Sequence, residues 1–286
     1  MRNVQNTAVS ILALLILVFA TAPALAVETD KEALKVCADP YMLPFSNQEK
    51  QGYENEIARL FGEKLGLEVE YEFFPQRIGF IRNTLRAEVG SSGEYKCDLV
   101  ITVPENFELA ATTDPYYSTP YVLVYVKGRG LDEVTDPEML VKIAEKKDIK
   151  IGLTDKGPAQ MWVFGQGLMG HMVPYQGMPG DPKVNPGQKL LEELVAGNID
   201  ATIIWGPTAG YFVKKYREEG IELAMLPLKD DPQNPNLKFT YSMSMAVRYG
   251  EKEWKETINR LIAENREEIH QILRDYGIPL VEKNKQ

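Results

Sequence analysis

Residues 34–74, LKVCADPYMLPFSNQEKQGYENEIARLFGEKLGLEVEYEFF, contain a complete strand, helix and strand. Residues 34–38 form a short apolar run, 53–65 repeat apolar side chains at helical spacing and stop at Gly66, and 68–74 read as a second strand. A connection of that length with its own helix joins parallel strands, so the unit is βαβ. The same grammar continues outward with a helix at 79–88 and a strand at 98–102. A β-rich run at 121–126 closes on Lys127-Gly128, and the pattern then restarts. Helix 137–146, strand 150–153, a helix from Pro158, strand 172–175, helix 187–196, strand 201–204, helix 208–218 and strand 222–226 follow in order. Residues 239–247 are again β-rich. Residues 254–276 read as one long helix with Ile258, Leu261, Ile262, Ile269, Ile272 and Leu273 as its apolar positions, closed by Tyr276-Gly277-Ile278-Pro279.

This order predicts an α/β protein of two lobes, each a mainly parallel sheet flanked by helices. The β-rich crossings near 121–127 and 239–247 take the chain out of the first lobe and back. Lobe one is expected to comprise residues 27–126 with 239–286, and lobe two residues 127–238. A cleft between them, at the carboxyl ends of strands, is where ligands of such folds bind.

Composition narrows the chemistry. With 32 basic and 41 acidic side chains in 286 residues the formal charge is −9, the wrong sign for tracking nucleic-acid phosphates. Two histidines and two cysteines exclude zinc-finger spacing, C-x-x-C-H haem attachment and His-rich metal sites. Arg2, the apolar stretch 9–20 and Ala24-Leu25-Ala26 have the layout of a secretory signal peptide, residues 1–26, cleaved after Ala26. Export to an oxidising compartment makes Cys37 and Cys97 candidates for a disulfide. Against it, Cys37 ends one expected strand and Cys97 opens the next. In-register parallel neighbours would hold them several ~3.3 Å rises apart, beyond the ~7 Å Cα reach of the bond.

Several strings together carry a resemblance. Pro44-Phe45, GYENEIA (52–58), KCDLV (96–100), DPYY (114–117) and GNIDA (197–201) occur in the order found in periplasmic solute-binding proteins of amino-acid ABC transporters. The chain resembles that family over residues 34–281. It is similar in particular to the MoxJ/XoxJ-type branch found with periplasmic methanol dehydrogenases. The strings behind this are VCADP (36–40) with LPFSN (43–47), FPQR (74–77) with GFIRNTL (79–85), and WGP (205–207) with AGY (209–211).

The resemblance implies a two-lobed periplasmic binding protein fold of type II and three anchors for an amino-acid ligand. The carboxylate-clamping arginine would fall within 102–108, which holds none. The hydroxyl residue after a glycine would fall at Gly157-Pro158-Ala159, and the ammonium-pairing aspartate falls where Trp205 stands. Burying a zwitterion without charged partners costs several kcal/mol. An apolar, aromatic cleft is expected instead, lined by Tyr41, Phe45, Phe107, Tyr116, Tyr117, Pro158, Trp162 and Trp205. Asp39, Gln76, Arg77 and Thr102 complete the expected cleft set. Arg77 reads either as a grip on a carboxylate or partner, or as a surface arginine with a packed stem. Backbone N–H groups of Ala159 and Gln160 at the start of a helix offer a residual anion site.

Other signals are weaker. GQGLMG (165–170) matches G-x-G-x-x-G but follows a helix instead of opening one after a strand, so a helix end fits better than a dinucleotide site. His171 and His270 lack a metal-binding or catalytic partner. PYQGMPGDPKVNPG (174–187) is a long Pro/Gly loop, read as either a protein-contact element or a tolerated insertion.

What the resemblance implies for function is a non-catalytic periplasmic accessory protein. It would assist maturation or activation of a PQQ-dependent quinoprotein methanol dehydrogenase, with that enzyme's cytochrome c as a second candidate partner. The quinone cofactor would belong to the partner, and this chain is expected to hold no cofactor or metal of its own. The alternatives are an ABC-transporter receptor for a small apolar or weakly charged solute, and an enzyme using Glu105 or Glu108 as general acid.

Overall fold

The computed structural model describes residues 29–281, and the expected signal peptide lies outside them. The elements are β1 (Ala33–Ala38), β2 (Tyr41–Met42), β3 (Ser46–Asn47), α1 (Tyr53–Leu65), β4 (Glu68–Phe73), α2 (Phe80–Asn83), β5 (Val100–Pro104), β6 (Ala111–Thr112) and β7 (Tyr117–Val126). There follow α3 (Met139–Ala144), β8 (Ile151–Thr154), α4 (Pro158–Gly165), β9 (Met172–Tyr175), α5 (Pro186–Ala196), β10 (Ala201–Trp205), α6 (Gly206–Glu218) and β11 (Leu223–Pro227). The chain returns through β12 (Thr240–Val247) to α7 (Lys252–Glu264) and α8 (Arg266–Asp275). Among the described residues no helix is long and apolar enough to cross a membrane.

The βαβ reading of residues 34–74 holds. β1 pairs with β4 in parallel, Ala33 opposite Glu68 through Ala38 opposite Phe73. α1 buries Tyr53, Ile57, Phe61 and Leu65 against this ladder and ends at Gly66, whose φ of +68° suits a residue without a Cβ. In lobe two, β8 lies in parallel between β10 and β9. Val122, Val124 and Val126 of β7 face the core under α5 and α6, while Leu123 and Tyr125 face the core under α3 and α4. The period-2 alternation thus gives one strand two apolar faces.

β7 and β12 are the crossings, and they pair with each other. Tyr117 to Pro120 run antiparallel to Met243 to Thr240. Beyond Pro120, β7 leaves β12 and takes β10 on one edge and β11 on the other. β7 begins four residues before its expected start, because a proline inside the run reads as a strand breaker.

Three further boundaries moved for local reasons. The helix expected at 79–88 keeps only Phe80–Asn83, since the amide and hydroxyl of Thr84 both donate to the Phe80 carbonyl and its φ, ψ of −121°, −90° leave the helix. The single helix expected at 254–276 is two, broken at buried Asn265, whose amide side chain donates 2.8 Å to the Leu261 carbonyl. β5 starts at Val100 because residues 97–98 are engaged elsewhere. Buried Arg248 donates to the carbonyls of Leu85 and Cys97 and pairs with the carboxylates of Asp98 and Glu251, while the Trp254 indole donates 3.1 Å to the Asp98 carbonyl.

That pinning resolves the cysteine question. The amides of Asp98 and Leu99 both donate to the Lys35 carbonyl, so the chain bends at Cys97 in place of extending an in-register ladder. Cys97 reaches Cys37 with Cα atoms 5.4 Å apart, and the disulfide forms.

The C-terminal segment ties the two lobes. Lys214 Nζ of α6 donates 2.7 Å to the Asp275 carbonyl, and Tyr211 stacks on Tyr276 at 6.1 Å. Such closeness requires Gly210, where a Cβ would sit 1.9 Å from the Gly277 oxygen. Gly210→Ala is expected to destabilise the protein by about 2 kcal/mol through overpacking. Gly165→Ala, at a helical glycine with open space around it, is expected to be neutral or slightly stabilising. Thermal melts of both variants check the contrast, and equal midpoints would refute the close approach.

Candidate functional site

The floor on lobe one is built from the N-terminus of α1 and the strands beside it. Tyr53 OH lies 3.1 Å from Thr102 Oγ1 and 3.0 Å from Tyr117 OH, and Thr102 Oγ1 lies 2.9 Å from Tyr116 OH, which donates to the Ile101 carbonyl. Three of the residues expected to line an open cleft, Thr102, Tyr116 and Tyr117, are instead buried in a closed hydroxyl network. Their OH groups find partners inside the core, which frees the rings to pack there. Burial pushes the Tyr53, Tyr116 and Tyr117 hydroxyls above their ordinary range.

Glu54 is the group sequence reasoning missed. It follows Tyr53 in the first turn of α1, is buried, and its Oε1 has no hydrogen-bond partner. Burial raises its carboxyl to about 8, the Thr102 hydroxyl works against this, and the charge of Asp39 adds to it. Its signal was its place inside GYENEIA (52–58), a string already singled out, but an acidic first-turn residue normally reads as a solvated helix start.

Asp39 holds the front of this floor. Its Oδ1 accepts from the Tyr41 amide at 2.7 Å, Oδ2 accepts from the Gln76 amide, and its own amide and carbonyl exchange hydrogen bonds with Ser46 Oγ. Burial raises its carboxyl, outweighing those amides and Arg77. Phe45 lies 5.4 Å from the Tyr53 ring, half-buried against the lobe-one core.

On the other side Trp205 ends β10 and precedes α6. Its ring lies 5.1 Å from Tyr121 and 5.7 Å from Tyr241, which are 6.2 Å from each other, so the three form an aromatic cluster where β7 and β12 cross. Burial pushes the Tyr121 hydroxyl up to about 12. Pro158 is half-buried at the head of α4, and the anion site expected there loses a donor, because the Gln160 amide is already bonded to the Gly157 carbonyl at 3.1 Å. Trp162 sits elsewhere than expected: it points into the lobe-two core and is 6% exposed. Helical spacing alone did not tell which face of α4 was buried.

The Pro/Gly loop reaches across to lobe one. Arg77 donates 3.4 Å to the Gly180 carbonyl and 2.7 Å to the Asp181 carbonyl. Asn185 Nδ2 donates 2.7 Å to the Leu43 carbonyl, while its Oδ1 caps α5 by accepting from Gly187 and Gln188. Lys183 Nζ stands 5.8 Å from the centroid of the Tyr41 ring. Arg77 thus grips the protein's own backbone. Phe107 packs on the small lobe-one core beside the disulfide and, with Gln76 and Arg77, lines a separate groove. GQGLMG is the exit of α4 and a 3-10 turn at Met169–His171, with Gly167 at a φ of +72°. Glu105 and Glu108 are exposed.

Chemically the arrangement offers ring faces, neutral hydroxyls and a carboxyl held mostly protonated at neutral pH, with a closure made by the chain's own loop.

Similar proteins share the fold. The crystal structure of periplasmic binding protein XoxJ from Methylobacterium extorquens AM1 superposes with a TM-score of 0.68 at 28% identity, covering 88% of this chain and all of that one. MxaJ from Methlophaga aminisulfidivorans MPT gives 0.67 at 23% identity, covering 87% of this chain and all of that one, and speaks for the fold alone. In sequence, Protein MoxJ of Methylorubrum extorquens is 23% identical over 268 residues, 90% of this chain and 84% of the relative. Residues 34–278 match the model of the bacterial extracellular solute-binding proteins, family 3, and the chain belongs to that family.

Proposed function

We propose that this protein is a non-catalytic periplasmic accessory of a PQQ-dependent methanol dehydrogenase, acting in maturation or activation by gripping a segment of the enzyme between its lobes. The similarity to XoxJ and MoxJ supports the setting. One observation carries the departure from nutrient capture: Trp205, at the position where the resemblance calls for an ammonium-pairing carboxylate, is packed with Tyr121 and Tyr241. A zwitterion placed there would lose water and gain no counter-charge. Lobe one is taken as residues 27–126 with 239–286 and lobe two as 127–238. They close about the paired crossings, and the contacts of the 174–187 loop with Arg77 and Leu43 support this reading.

The tagged mature protein, purified from a methanol-grown host at several salt concentrations, is expected to bring the dehydrogenase with it, identified by mass spectrometry. Calorimetry against a panel of free amino acids is expected to show no binding. Absence of the dehydrogenase at every salt concentration, or tight binding of an amino acid, overturns the reading; the second result favours an ABC-transporter receptor.

A further inference from the structure

A groove of about 450 Å³ opens on lobe one between α2 and the loop after β5. Its apolar wall includes Ile78, Phe107 and Leu109, and three of its eleven lining residues are Arg77, Arg82 and Arg86, with no carboxylate among them. Ile78 is 89% exposed and Leu109 50% exposed. One exposed aliphatic side chain is ordinary, but an apolar groove rimmed by charge marks an interaction site.

The charge pattern says what fits. Arg86 is held by the Leu109 carbonyl and stands 5.9 Å from the Tyr249 ring centroid, and Arg77 is held by the loop carbonyls. Arg82 is exposed. None of the three takes part in the ion pairs formed among the described residues, which do engage Arg59, Arg248 and Arg274. Glu105 and Glu108 stand on the loop that carries Phe107 but do not line the groove. In a chain of net charge −9, three arginines around one apolar trough leave forked donors that planar carboxylates match.

We propose that this groove docks an acidic segment of a partner protein in which carboxylates alternate with apolar side chains. The apolar side chains cover Ile78 and Leu109, and the carboxylates meet Arg82 and the remaining N–H groups of Arg86. The groove shares Arg77 with the interlobe closure and borders it; the proposal goes beyond the function proposed above, since it holds whichever protein supplies the segment.

The test is fluorescence anisotropy of the full mature protein with a labelled six-residue peptide of alternating glutamate and leucine, capped at both ends. Two further peptides replace every glutamate by glutamine or by lysine. Binding of the glutamate peptide alone is expected, weakening with added salt and falling at least tenfold in Arg82→Glu and in Ile78→Ser; both positions are exposed, and unchanged melting curves confirm that the variants fold. Equal binding of the glutamine peptide, or no effect of either substitution, overturns the proposal. So does tighter, Arg82-dependent binding to phosphatidylglycerol vesicles, or self-association abolished by Ile78→Ser. The dehydrogenase is absent from this experiment, so its outcome is separate from that of the co-purification.

Discussion

Glu54→Gln raises stability at pH 8 and removes much of its dependence on pH. The carboxyl sits at about 8 in the folded protein against 4.5 as its ordinary value, because burial penalises the charged form. The folded state therefore holds a proton that the unfolded chain releases near 4.5. Stability from this group is complete below 4.5, falls as pH rises, and is lost by about 8. At about 1.4 kcal/mol per pH unit, that interval bounds the loss at roughly 5 kcal/mol. Urea unfolding at pH 5, 6.5 and 8 should show the glutamine variant gaining on the wild type at each step, then levelling above 8. Asp39 is raised in the same direction, but it is present in both proteins, so the difference between them isolates Glu54 apart from their mutual repulsion. A gap that stays constant with pH would sink the assignment. The corollary is that the lobe-one floor holds a carboxyl that is mostly neutral at neutral pH.

Replacing both Cys37 and Cys97 by serine is expected to cost about 4 kcal/mol. The bond closes a loop with a sequence separation of 60, and the chain-entropy estimate for that length is of this size. The enclosed region has little else of regular structure near its end: α2 keeps four residues, and the chain from Thr84 to Leu99 forms no strand beyond isolated bridges. Both sulfurs are buried with Phe80, Ile81 and Leu85. Urea midpoints should drop in the double variant, drop equally in the reduced wild type, and show no response to reductant in the variant. A variant within about 1 kcal/mol of the wild type would show that Arg248 and its carbonyl partners hold the segment unaided.

Much of the lobe plan was legible because it rests on local periodicity. α1, β9 and α5 lie within one residue of their expected bounds, since each is an apolar stripe bracketed by glycine or proline. The break at Asn265 and the end of α2 at Thr84 were not legible, as they depend on which backbone carbonyl a short polar side chain chooses. At the candidate site, residue type was legible in the sequence but the direction of each side chain was not. Trp205 joined an aromatic cluster, whereas Trp162 turned into the core, Tyr116 closed on Thr102 and Tyr117 on Tyr53.

The amino-acid order by itself determined the alternation of strands and helices and the two β-rich crossings, because each depends on side-chain type along one continuous segment. Only the tertiary structure decided that Cys97 meets Cys37, that Arg77 and Asn185 fasten the loop at 174–187, and that Glu54 is buried. Those outcomes depend on groups distant in sequence competing for the same donors and the same space. That competition is resolved when the lobes pack.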